Sequence, residues 1–191
     1  MTKGRMEAFS DGVLAIIITI MVLELKVPHG DTLKDLQPLI PVFLSYLLSF
    51  VHVGIYWNNH HHMLHATQKI NGRILWTNMH LLFWLSLYPF ATAWMGENHF
   101  STWTVALYGI VALMSGVAYY FLAHSLINLH GKDSAIAAAI GKDKKGIASI
   151  LLYILGIALS FVHPLIGVAC YIAVACMWFI PDQRIEKKLP A

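Results

Sequence analysis

Charge is scarce in this chain. Asp, Glu, Lys and Arg make up 12% of its 191 residues, about half the ~25% of an ordinary soluble domain. With 58% hydrophobic residues, too few polar side chains remain to cover a solvated globule, so water is not the only solvent. The same figures exclude intrinsic disorder, because a disordered chain is poor in apolar residues. Cysteine is nearly absent: Cys170 and Cys176 are the only two, which excludes a disulfide scaffold. Lying in one apolar run, they read as small hydrophobes rather than a redox pair. A secretory leader is not expected either. Glu7 and Asp11 stand where basic residues should precede the apolar core, and no small-residue cleavage site follows Leu25.

The few charges are bunched, and the gaps between them carry the information. No Asp, Glu, Lys or Arg occurs in 36–68, 74–96, 98–131 or 146–181. A membrane-spanning helix needs about 20 mostly apolar residues, so each of the first three gaps supplies one span. The last is long enough for two short spans, divided at His163-Pro164 because proline disfavours helix at the residue before it. The first apolar stretch, Gly12 to Leu23, reaches spanning length only if Phe9, Ser10 and Asp11 lie in the membrane too. The expectation is an all-α membrane protein, one domain over 1–191, with spans at about 6–25, 36–62, 74–96, 102–127, 147–162 and 164–181.

Six spans put both termini on one side with the 63–73 and 128–146 connections. That side holds Lys3, Arg5, Lys69, Arg73, Lys132, Lys142, Lys144, Lys145, Arg184, Lys187 and Lys188, against Lys26 and Lys34 on the other. Lys and Arg concentrate in cytoplasmic loops, so both termini are expected in the cytoplasm and the protein in the plasma membrane. The basic balance then reports topology and contact with anionic lipid, not nucleic-acid binding. Tyr56, Trp57, Trp76, Tyr88, Trp94, Trp103, Tyr119, Tyr120 and Trp178 fall mostly near span ends, where amphipathic rings prefer the interface. Trp84 lies mid-span and is expected to pack inside. Pro28-His29-Gly30-Asp31-Thr32 reads as a turn ending in an N-cap for the second helix, and the Ala-rich 134–140 as a short helical extension on the membrane surface.

The first helix is chemically odd. At about 100° per residue, Arg5, Phe9, Gly12, Thr19, Ile20 and Leu23 all fall within about 60° of Ile16, whereas Ser10 and Asp11 lie about 120° or more away. An ionisable residue inside a membrane costs at least ~2.5–3.5 kcal/mol and usually points into protein or a cavity. Ser10 and Asp11 therefore need protein partners, and the apolar stripe opposite is free to face lipid, core or something else.

At these residues the sequence resembles a known family. Arg5-Met-Glu-Ala-Phe9-Ser10-Asp11-Gly12 is similar to the Arg-x-x-x-Phe-Ser-Asp signature of the transmembrane protein 175 family of potassium channels. Trp57-Asn-Asn-His60-His61-His62-Met63-Leu64 is similar to the Trp-x-x-His-His stretch that ends that family's second helix. One Phe-Ser-Asp and no internal duplication match the single-repeat prokaryotic members. The resemblance implies a homotetramer whose first helices line a central pore, with potassium and other monovalent cations as permeant ions and no cofactor. It implies pore constrictions at Ile16, Ile20 and Leu23, with Thr19 as a polar ring, and gating by dewetting of this apolar neck. No Thr-Val-Gly-Tyr-Gly filter is present; Gly116-Val-Ala-Tyr-Tyr120 has only a superficial likeness to it. Selectivity for potassium over sodium is therefore expected to be modest. The resemblance also implies a supporting network that includes Arg5, Phe9, Ser10, Asp11, Trp57, His60, His61 and His80, with Asp11 bonded to one of His60, His61 or His80. The bland alternative is that these are interfacial polar residues.

Two other functions need weighing. The histidine count is 11, and His61 and His65 have the i, i+4 spacing of a metal pair beside His60 and His62. A metal-dependent membrane enzyme would need further ligands, yet His80, His124 and His130 are scattered, and helices two to six carry no carboxylate for a facial triad. No enzyme and no metal site are expected. Asp11 near histidines is also what a proton-coupled transporter would use, but inverted repeats and discontinuous helices, the mark of midplane substrate sites, are missing.

Overall fold

A computed structural model describes residues 2–131, 133–140 and 143–179. Lys132, Lys142, Arg184, Lys187 and Lys188 of the expected basic side, and the last residues of the expected 164–181 span, lie outside the described residues.

The first helix, α1, runs Lys3–Leu23 and rises about 31 Å at 1.5 Å per residue, close to the ~30 Å of a bilayer's hydrocarbon core. A 3-10 segment, Leu33–Leu39, follows, closed at its start by Thr32, whose backbone N–H and hydroxyl both donate to Asp35 Oδ2 at 3.0 and 2.6 Å. Thr32 thus caps this tight segment instead of the second helix itself. Pro38 sits inside it, and α2 (Ile40–His65) begins only beyond it, with proline in its first turn. There the missing N–H has no bond to lose.

The expected 74–96 span is broken. It forms α3 (Gly72–Ser86), started by Asn71 Oδ1 accepting from the Ile74 N–H at 3.0 Å, and α4 (Tyr88–Glu97), joined at Leu87. Pro89 explains the break: it donates no hydrogen bond to the preceding turn, and its ring crowds the carbonyl four residues back. Helix α5 (Thr102–His130) is the longest. It ends at Gly131, whose φ of 90° closes the helix in a backbone region few other residues adopt. The Ala-rich stretch is a separate short helix, α6 (Ala135–Ile140), and not an extension of α5. Helix α7 (Lys144–Ser160) is capped by Asp143 accepting from the Gly146 N–H at 2.8 Å; α8 (Pro164–Phe179) starts at the proline that divides the last charge-free run. No strand occurs among the described residues.

Three of these segments, Lys3–Leu23, Leu33–His65 and Thr102–His130, are long and apolar enough to cross a membrane, and Pro164–Phe179 is a shorter apolar helix. The helices pack α7 on α8, α5 on α7, α3 on α5 and α2 on α4, with α1 laid over α2, α3 and α4. Helices α7 and α8 meet backbone to backbone. A Cβ placed on Gly167 would stand 2.8 Å from the carbonyl oxygen of Gly156, and one on Gly156 would stand 3.2 Å from that of Gly167. Small residues allow such an approach where lipid supplies no hydrophobic drive between helices. The core joins Leu14, Ile17 and Met21 of α1 to Leu81, Tyr88, Tyr108 and Tyr171. Tyr88 is fully buried at the α3–α4 break rather than interfacial, and Trp84 is half-buried.

Candidate functional site

Helix α1 has two faces of different character. Met6, Ser10, Leu14, Ile17 and Met21 are buried against α2, α3 and α4. On the other side Phe9 is 48% exposed, Ile16 57%, Ile20 43% and Leu23 77%, and Arg5, Gly12 and Thr19 are exposed with them. Ile17, next to Ile16, is 3% exposed. The stripe expected around Ile16 is therefore the face that this chain leaves uncovered. Thr19 Oγ1 donates to Ile16 O at 2.9 Å, which leaves the hydroxyl lone pairs directed away from its own helix.

A chain of hydrogen bonds ties the buried face to α3 and α2. Ser10 Oγ donates to Met6 O at 2.8 Å and accepts from Asn78 Nδ2 at 2.9 Å. Asn78 Oδ1 lies 2.8 Å from His60 Nε2. A carboxamide oxygen only accepts, so His60 carries its proton on Nε2, and its buried Nδ1 has no partner. Ser10, His60 and Asn78 are all buried.

Asp11 belongs to a second, more exposed group. Its Oδ1 accepts from Trp57 Nε1 at 3.1 Å. The Trp57 ring stacks on His61 with centroids 6.2 Å apart, and His61 Nδ1 lies 3.5 Å from Glu7 Oε1. The expected Asp11–histidine hydrogen bond is absent among the described residues. Helical register is the reason: Ser10 is turned toward Asn78 and His60, while Asp11, about 100° further round, meets the indole of α2 instead. His80 falls outside both groups. It accepts from Trp84 Nε1 at 3.0 Å and stacks on Phe121, with ring centroids 6.3 Å apart. Two residues beyond Asn78, it faces the opposite side of α3. Sequence reasoning missed Asn78 and Glu7. Asn78 did carry a signal, as the one carboxamide within the charge-free 74–96 run, where a polar group needs a protein partner.

The histidine cluster does not converge. The rings of His61 and His65 are 6.4 Å apart and tilted, and His61 is directed at Glu7. Among the described residues no three His, Cys, Asp or Glu side chains are arranged to hold a metal ion. Gly116–Tyr120 lies inside α5, where its backbone carbonyls serve the helix.

Comparison with known proteins agrees with this architecture. The family profile "Endosomal/lysosomal potassium channel TMEM175" matches residues 5–89, which include all but the first two residues of α1 and the residues of both hydrogen-bonded groups. A protein of Chryseobacterium sp. (strain P1-3) named as a potassium channel is 57% identical over 189 residues, covering 99% of this chain and 98% of that one. One of Streptomyces collinus, also named as a potassium channel, is 32% identical over 63% of this chain and 62% of its own length. The zebrafish "Endosomal/lysosomal proton channel TMEM175" is 36% identical over 44% of this chain but 18% of its own length. The crystal structure of a lysosomal potassium-selective channel TMEM175 homologue from Chamaesiphon minutus superposes with a TM-score of 0.80 at 28% identity, covering 93% of this chain and 96% of that chain. On the near full-length match to the Chryseobacterium protein, supported by the profile and the superposition, this all-helical membrane protein belongs to the TMEM175 family of potassium channels.

Proposed function

We propose that the protein is a potassium-permeable cation channel, a homotetramer in which four α1 helices surround the conduction path. The observation that carries this reading is the uncovered face of α1, from Phe9 to Leu23, on a helix whose other face is anchored to its own subunit. One such stripe encloses nothing; four around a symmetry axis enclose a path. Ile16, Ile20 and Leu23 form successive apolar rings, and closure is dewetting between them. The Thr19 hydroxyls stand beside the first ring with lone pairs available to a cation that has shed part of its water. Without a carbonyl cage the preference for potassium over sodium is modest, resting on potassium's cheaper dehydration. The single domain over 1–191 crosses the plasma membrane six times, with α3 and α4 together as one crossing and both termini cytoplasmic. Ser10, Asn78 and His60, with Asp11, Trp57, His61 and Glu7, hold α1 at its angle and do not touch ions; Arg5 stands in the signature at the cytoplasmic end. The partners are the lipid bilayer, further copies of the chain and monovalent cations.

The deciding experiment is reconstitution of the purified protein into liposomes with potassium, sodium and proton flux measured in parallel. Potassium flux exceeding sodium flux is expected, from a species that cross-links to four subunits. Conduction by a cross-link-free monomer at high dilution would overturn the assembly. A second reading is favoured by the vertebrate relatives, which are named proton channels: protons would share the same path. A reversal potential that shifts with the pH gradient as well as with the potassium gradient would select it, and a fixed proton stoichiometry would instead indicate a coupled carrier.

A further inference from the structure

His130, the last residue of α5, joins two elements through its two ring nitrogens. Nδ1 lies 2.9 Å from Leu126 O on its own helix. Nε2 lies 3.2 Å from the backbone nitrogen of Gln68 and 3.1 Å from that of Lys69, both in the connection between α2 and α3. A carbonyl oxygen only accepts, so Nδ1 donates; a backbone N–H only donates, so Nε2 accepts from both. Both ends therefore demand one and the same form, the neutral imidazole with its proton on Nδ1.

Little else holds the connection at this point. Gln68 and Lys69 are exposed, and neither takes part in a backbone–backbone hydrogen bond among the described residues. Imidazole is the side chain whose charge ordinarily changes between about pH 5 and 8. Protonation alters one nitrogen only. Nδ1 keeps its bond to Leu126 O, but Nε2 gains a hydrogen and confronts two N–H groups as a third donor. The titratable and charged side chains on the elements that meet here are His65 at the end of α2, Lys69 on the connection, Arg73 in the first turn of α3, His124 on α5 itself and Asp133 before α6. Among the described residues no ion pair includes His130, so no carboxylate compensates the added charge.

The connection has leverage on α1. It joins α2, which carries Trp57 and His60, to α3, which carries Asn78, and these side chains hold the anchored face of α1. The carbonyl of His65, just before the connection, accepts from Lys3 Nζ of α1 at 3.5 Å. We propose that His130 is a proton-operated latch: neutral, it fastens the α2–α3 connection to the end of α5; protonated, it stays on α5 and lets the connection go. In the channel proposed above, on which this last step rests, acid on the cytoplasmic side then loosens the frame that sets the angle of α1 and so regulates the path.

The test is NMR of the full chain in lipid nanodiscs, reading the ¹⁵N shifts of the His130 ring and amide exchange along the chain. At about pH 8 the ring should show a protonated Nδ1 and a bare Nε2. Between about pH 8 and pH 5 the protection factors of the Gln68 and Lys69 amides should fall about tenfold, the scale of one or two lost bonds. The Gly131 amide, bonded to Ile127 O, should hold over the same range. His130→Gln, whose amide oxygen accepts but takes up no proton, should flatten that pH dependence, and His130→Phe should lose the protection at both ends of the range. In liposomes, acid on the side of the α5 end should change potassium flux less in His130→Gln than in the unaltered chain. A proton on Nε2 at high pH, protection that does not respond to acid, a pH dependence that survives in His130→Gln, or equal flux changes in the two chains would each overturn the proposal. Exchange is read without conduction, so a chain that carries no current would refute the channel reading while the latch is still decided.

Discussion

Ile16 and Ile17 are neighbours of identical chemistry, yet one is 57% exposed and the other 3%. Everything that differs between them comes from 100° of helical rotation. Ile17 shares a face with Ser10, whose hydroxyl is held by Met6 and Asn78, so its methyl groups meet fixed neighbours. Ile16 shares a face with Phe9, Ile20 and Leu23, which the described residues leave largely uncovered. Met6, Leu14, Ile17 and Met21 make the buried face as apolar as the bare one, so packing and not polarity tells the two faces apart. In the proposed channel the bare face meets copies of itself.

The sharpest way to break the contrast is to place the same polar group at each position. Ile17→Asn should destabilise the fold by about 2–5 kcal/mol, through lost packing and an unmatched buried amide, seen as low yield and early aggregation on size exclusion. Ile16→Asn should leave yield intact, raise basal flux several-fold in the liposome assay and narrow the potassium–sodium difference. If the two phenotypes are exchanged, the register assigned to α1 is wrong; if neither changes flux, α1 does not line the path.

Asn78 tests what holds the buried face. Asn78→Leu removes the bridge between Ser10 and His60 and leaves the imidazole N–H unmet, at a cost of about 1–3 kcal/mol. A lowered thermal midpoint is expected, together with altered gating, because α1 is then free to rotate. An unchanged midpoint would mean that apolar packing alone holds the helix.

Asp11→Ala comes next. Its partner Trp57 is 47% exposed, so the loss is smaller, about 1 kcal/mol for a charge-assisted bond at a partly wet site. Lower tetramer yield with unchanged ion selectivity is expected, and a loss of selectivity with normal assembly would move Asp11 into the path. Smallest of all is the Lys26–Glu97 pair, 3.3 Å apart and largely exposed at both ends. Lys26→Ala should change stability by less than about 1 kcal/mol, and a larger drop would show that the outer end of α1 is strapped to α4.

These contrasts also mark how far the sequence could be read. The bare stripe from Phe9 to Leu23 was legible because a helix repeats at a fixed angle, and a single strand of sequence carries that angle. The division at His163-Pro164 was legible for a similar local reason. The break at Leu87 was missed although Pro89 was in view, because the charge-free run around it suggested continuity. The partner of Asp11 was out of reach. Which of Trp57, His60 or His61 meets it depends on how α2 is rotated against α1, and no local pattern records that angle. Asn78 sat two residues from the histidine chosen in its place, and on α3 two residues are enough to reach the opposite side.

The glycine contact between α7 and α8 has a mechanical meaning. Each glycine has the other's carbonyl oxygen where a side chain would begin, so the two helices are keyed at one depth and cannot slide past one another without collision. The pair is a rigid strut on the far side of the bundle from α1, and Val105 of α5 is pressed against it at Gly167. A strut of that kind gives no travel. In the proposed channel, widening of a path lined by α1 is then taken up where α1 bears on α2, α3 and α4, through small rolling motions of one rod on three, with the peripheral hairpin as the fixed frame.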